Sequence, residues 1–146
     1  MAVSNIERFD NLASRLFAEL YESFPMGKDI DTANYLDPAT QWSERYQQEV
    51  LIDDGEFFLA TVLWLQRAGY LSVDKYHHSR VSDVVLTAKG LEVLRAVPGS
   101  LQGDASIGEQ LADAAKSGGK EAMRGLLSEA LGIGARLLGP YVGLTP

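Results

Sequence analysis

Apolar residues recur at helical spacing near the start of the chain. Ile6, Phe9, Ala13, Leu16, Phe17, Leu20 and Phe24 lie three or four positions apart, which places them on one face of a helix. Ser4 and Glu7 form a capping-box pair that starts this helix, and Pro25 with Gly27 stops it. A short extended piece is expected around Ile30. Asp37 followed by Pro38 reads as an N-cap and a first helical position, opening a second helix with Trp42, Tyr46 and Val50 on one stripe. Asp53 and Glu56 make a second capping pair and start a third helix, which Gly69 ends as a left-handed cap.

Past Gly69 the period changes. The segments "YLSVDKY" and "VSDVVLT" are rich in β-branched and aromatic residues, with "HHSR" between them as a turn, so they predict a hairpin. Thr87 caps a further helix, "AKGLEVLRAV", and Pro98-Gly99 ends this part of the chain. Residues 100–146 hold nine of the fourteen glycines. One short helix there carries Ile107 and Leu111, "KSGGK" breaks it, and a longer helix carries Met123, Leu126, Leu127, Leu131, Ile133, Leu137 and Leu138. The expected organisation is a domain over residues 1–99, a joint at Pro98 to Asp104, and a glycine-rich helical tail over 100–146. That tail would pack on its own domain or on a partner subunit.

The third helix has an unusual distribution of side chains. At about 100° per residue, Phe57 and Trp64 point one way, Phe58, Val62 and Leu65 another, and Leu59 and Leu63 a third. Only Glu56, Gln66 and Arg67 relieve this surface. A helix that is apolar all round is expected to be buried all round, so something beyond its own domain should cover one side.

The element order and the run "LWLQRAGYL…VVLTAKGLEVL" resemble the winged-helix superfamily, most closely its bacterial MarR-like and PadR-like regulators. The residues that carry the resemblance are Leu63, Leu65, Gly69, Leu71, Leu86, Thr87, Lys89 and Gly90, and it covers residues 5–97. It implies a mainly α (α+β) fold: a winged helix-turn-helix domain with a β-hairpin wing, here followed by a C-terminal helical extension. In such folds the third helix enters the major groove with polar and basic side chains near its N-terminus.

Charge argues against that use here. The 146 residues, 46% hydrophobic and 23% charged, carry a formal net charge of −7. A polyanion partner needs Lys and Arg placed against phosphates. The leading edge of the third helix is Asp53, Asp54, Gly55 and Glu56, and from Asp37 to Gly69 six acids face only Arg45 and Arg67. The wing is the opposing case: Lys75, His77, His78 and Arg80 cluster near its tip, with Lys89 just beyond, although Asp74 and Asp83 dilute them. These five are the candidate nucleic-acid contacts.

No catalytic constellation emerges. Neighbouring His77 and His78 diverge without a third ligand at metal spacing, "SGGK" lacks the flanks of a phosphate loop, and there is no G-x-S-x-G turn and no cysteine. No enzyme, metal or cofactor is therefore expected. No charged, then apolar, then small-residue leader opens the sequence, so a cytoplasmic protein is expected. In the tail, Gly125, Ser128, Gly132, Ala135 and Gly139 form a stripe of small residues that lets a neighbour approach closely. Glu129 and Arg136 in the same stretch argue against a spanning helix.

These features lead to a non-catalytic protein-interaction or regulatory module. Its candidate interface is Phe57, Phe58, Val62, Trp64, Leu65, Gly125, Gly132 and Leu137. The expected association is a homodimer or a different protein partner, ahead of nucleic acid and of a membrane surface. The alternative is a dimeric transcriptional regulator that touches DNA chiefly through its wing.

Overall fold

The computed structural model describes residues 4–35, 40–51, 53–77, 79–97 and 105–144. These are mainly helical with a small antiparallel sheet, an α+β arrangement. Helix α1 (Asn5–Ser23) is followed by strand β1 (Lys28–Asp31) and a 3-10 turn at Thr32–Asn34. A hairpin of β2 (Thr40–Ser43) and β3 (Gln48–Leu51) leads to helix α2 (Asp53–Arg67). Strands β4 (Leu71–Ser72), β5 (Lys75–Tyr76) and β6 (Arg80–Leu86) follow, then helices α3 (Ala88–Arg95), α4 (Ile107–Ser117) and α5 (Lys120–Leu144).

Local chemistry sets several of these boundaries. The Ser4 hydroxyl accepts from the Glu7 N–H at 3.1 Å, which satisfies one of the donors left over at the start of α1. Gly69 adopts φ 90° just past α2, the left-handed conformation that a residue with a Cβ resists. Ser106 and Glu109 form a full capping box at the start of α4, a signal that the apolar periodicity of the tail had hidden.

Strand β6 organises the sheet. It pairs antiparallel with β1 on one side, Ile30 opposite Val81, and with β4 and β5 on the other, Leu71 opposite Leu86 and Tyr76 opposite Val81. Val81, Val84 and Leu86 are buried. The step from 81 to 84 breaks strict alternation, and Asp83 between them takes φ 52° where the pairing with β1 shifts register.

One core runs through the whole assembly. Leu16, Phe17 and Leu20 of α1 meet Phe58, Val62 and Leu65 of α2, the inward residues of β1 and β6, and Val93 and Leu94 of α3. Ile107 and Leu111 of α4 and Met123, Leu126, Leu127 and Ala130 of α5 belong to the same cluster. The tail helices therefore bury their apolar faces against their own chain. The Tyr70 ring, itself edge-on to Phe17 at 5.7 Å, lies where any Cβ on Gly134 would overlap its hydroxyl. The joint expected at Pro98 to Asp104 falls outside the described residues.

The helix expected from Asp37 through Val50 is not formed. Its place is taken by β2 and β3, paired from Thr40 with Leu51 to Ser43 with Gln48; Asp37 and Pro38 lie outside the described residues. Trp42 and Tyr46 sit four apart, as on a helix, yet no core receives them, and they are 54% and 60% exposed. The Ser43 hydroxyl accepts from the Tyr46 N–H at 3.2 Å, and Gln47 takes φ 53°. A short polar side chain and a left-handed residue are turn chemistry, and they fold the segment back on itself.

Candidate interaction groove

Helix α2 is not covered on every side. Phe58, Val62 and Leu65 are fully buried with Thr61, and Phe57, Leu59, Leu63 and Gln66 are half-buried. Glu56, Ala60, Trp64 and Arg67 are exposed. Their spacing of four, four and three makes one outward stripe. This corrects the expectation of a helix without a wet side. It also removes Phe58, Val62 and Leu65 from the candidate interface, because the chain's own core already holds them.

Beside that stripe lies an apolar groove of about 540 Å³. Asn5, Ile6, Phe9 and Asp10 of α1 form one wall; Phe57, Ala60, Thr61 and Trp64 of α2 form the other, and Leu131 of α5 closes it. The Trp64 indole stands at 87° to the Phe9 ring with centroids 5.4 Å apart, an edge-to-face pair. Trp64 is nevertheless 48% exposed, and Ile6 opposite it 62%. The Arg8 guanidinium lies 4.1 Å above the Phe57 ring. Thr61 gives its hydroxyl to the Phe57 carbonyl at 2.9 Å, and Asp10 accepts from Arg124 Nε at 3.4 Å. The polar groups of the lining are thus largely spoken for, and the groove offers surface for an apolar guest more than chemistry for a reacting one.

The remaining candidate interface residues diverge. Gly125 is exposed with open space where a side chain would be, and Gly132 has only the tip of Arg136 near it. Leu137 packs partly buried against the core. Within the chain, the close approach that the small-residue stripe suggested occurs at Gly134 instead.

The candidate nucleic-acid contacts separate into two groups. Lys75, His77 and Arg80 are exposed at the tip, and His78 lies outside the described residues. The Tyr76 hydroxyl donates to Gln66 Oε1 at 2.7 Å, tying β5 to α2. Burial pushes the Tyr76 hydroxyl up in pKa while nearby Arg67 pulls it down, so Arg67 stands beside β5. Lys89 is different. Its ammonium donates to the Ala68 carbonyl at 2.7 Å and sits 4.3 Å from the Tyr70 ring centroid, and desolvation lowers its pKa. It caps the C-terminus of α2, where a cation suits the helix dipole, so one of its three donors is already committed to the protein.

Its neighbours do related work. The Thr87 hydroxyl donates to the Gly69 carbonyl and accepts from the Gly90 N–H, and Gly90 packs against the Tyr70 carbonyl. The Leu-Thr-x-Lys-Gly motif is therefore a lock between the end of α2 and the start of α3.

A polar strap on the opposite side of α1 went unrecognised in the sequence. Arg15 donates to the carbonyls of Asn34 and Tyr35 at 3.3 Å each and lies 4.4 Å from the Tyr35 ring. The Tyr35 hydroxyl donates to Glu19 at 3.0 Å, and Glu19 pairs with Lys28 at 3.3 Å. Burial, then the Glu19 charge, raises the Tyr35 pKa far above the usual range. These groups hold the 3-10 turn onto α1. They are separated along the chain, so no local pattern announces them.

Among the described residues no group of three or more His, Asp or Glu is placed to hold a metal, and no helix is long and apolar enough to cross a membrane. Comparisons with protein-family models, curated proteins and solved structures find no match.

Proposed function

We propose that this protein is a non-catalytic interaction and regulatory module that associates through the apolar groove between α1 and α2. The observation that carries this is Trp64, a large ring left 48% exposed beside a 540 Å³ apolar recess. Exposed aromatic surface next to a preformed recess is what protein partners anchor on. The sheet order β1-β6-β4, with a strand following α1 on one side of β6 and the wing on the other, supports a winged-helix reading of the core. The β2–β3 hairpin before α2 leaves that helix without the preceding helix of a helix-turn-helix, which favours a use other than reading DNA.

A second reading rests on Arg67. Its position beside Tyr76 extends the cations of the wing tip onto α2, and a dimer presenting two such patches could meet nucleic-acid phosphates. Fluorescence anisotropy with labelled duplex and single strands at low salt separates the two. The interaction reading expects no salt-sensitive binding. Binding that weakens steeply with salt and disappears in a Lys75→Glu/Arg80→Glu variant would move the function to the wing.

A further inference from the structure

We infer that the outward stripe of α2 is a two-fold contact with a second copy of this chain, the two α2 helices packing antiparallel with Trp64 of each copy seated over Ala60 of the other. The inference rests on the groove being an association surface, and it names the partner. Among residues 55–67, Glu56, Ala60, Trp64 and Arg67 are the exposed ones, and their order is acid, small, large, base.

That order is self-complementary under a two-fold axis. In an isologous contact residue i meets j and j meets i. The midpoint between Ala60 and Trp64 falls at Val62, and the midpoint between Glu56 and Arg67 falls between Thr61 and Val62. A single antiparallel register therefore satisfies both pairings to within about 1 Å along the axis at 1.5 Å rise per residue. The largest side chain of the stripe then meets its smallest, and Glu56 and Arg67 each face the opposite charge at both ends.

Neither Glu56 nor Arg67 takes part in an ion pair among the described residues. Ala60 lines the groove, so the partner's indole enters the recess beside Ile6 and Phe9, and symmetry repeats this in the other copy. A partner of unrelated sequence needs no such register, whereas a second copy needs this one.

Light scattering on the full chain tests the pairing. The expected mass is about twice 15.9 kDa. Glu56→Arg and Arg67→Glu should each weaken the dimer about tenfold or more, because each sets like charges opposite one another at both ends of the stripe. The combined Glu56→Arg/Arg67→Glu chain should dimerise again to within about threefold of the original, since it only exchanges the signs. Dimers indifferent to the single changes, or a double variant that stays weak, would overturn this register.

The failure of the broader reading looks different. Binding of the apolar fluorophore 1-anilinonaphthalene-8-sulfonate is measured in the same samples, with Ala60→Glu as the blocked control. A wild-type monomer that binds the probe, and loses it on Ala60→Glu, refutes the two-fold contact and keeps the groove. A wild-type monomer blind to the probe refutes both.

Discussion

Replacing Phe58 and Trp64 by alanine, one at a time, asks whether α2 has one buried face or several. Both residues are aromatic, both lie on one helix, and sequence alone treats them alike. Phe58 is 0% exposed and its ring is 4.8 Å from that of Tyr35, so Phe58→Ala empties a packed site and should cost about 3–5 kcal/mol. Trp64 is 48% exposed. An aromatic side chain carries about 150–250 Å²; roughly half is already in water, leaving about 100 Å². At about 25 cal/mol per Å² this is ~2.5 kcal/mol as an upper bound, and it includes most of the edge contact with Phe9. A loss of about 1–2 kcal/mol is therefore expected for Trp64→Ala. The assay is urea unfolding followed by far-UV circular dichroism, in an Arg67→Glu background at low concentration so that self-association does not add to the result. Equal losses for the two variants would refute the one-faced helix, since an indole half in water has too little buried area to match a fully packed ring.

Other parts of the structure give equally direct tests. Lys89→Ala should cost about 1–2 kcal/mol by stripping the Ala68 carbonyl of a charged partner while leaving nucleic-acid titrations unchanged; a loss confined to such titrations would return Lys89 to the surface. Tyr35 holds its proton in the fold above the pH at which an unfolded tyrosine releases it. Its contribution is therefore fully present below about pH 10 and lost as pH rises beyond that. Tyr35→Phe should flatten the alkaline fall in urea stability between about pH 9 and 11, and an unchanged slope would refute the buried hydroxyl. Truncation after Gly99 removes Ile107, Leu111, Leu126 and Leu127 from the shared core and should abolish cooperative melting. A soluble truncated monomer with a sharp transition would show the tail to be dispensable.

Much of the fold was legible because its determinants are local. Ser4 and Gly69 act within a few residues of themselves, and Thr87 caps α3 through the Gly90 N–H three residues on, so propensity and tertiary packing agree there. Where Trp42, Tyr46 and Val50 fall four apart, the helical period was a coincidence. Only the absence of a core to receive Trp42 and Tyr46 and the turn at Ser43–Gln47 reveal a hairpin. The strap of Arg15, Tyr35 and Glu19 joins residues on separate elements, and nothing in their spacing foretells it.

The candidate site divides along the same physical line. Several faces of α2 are about equally apolar, so its sequence cannot rank them, and the contacts made by the rest of the chain select the buried one. Phe58, Val62 and Leu65 are taken by the core, and Trp64 is left at the surface as the consequence. Lys89 is the mirror case. A cation counted as surface charge becomes a helix cap once the chain brings it to the Ala68 carbonyl. Gly69, Thr87, Lys89 and Gly90 thus fasten the end of α2 in place. The residues that could distinguish its partner, Glu56, Ala60, Trp64 and Arg67, are those the fold leaves over. Fold-determining contacts constrain a sequence pattern strongly and a binding stripe constrains it weakly, so the first was readable before the structure and the second only after it.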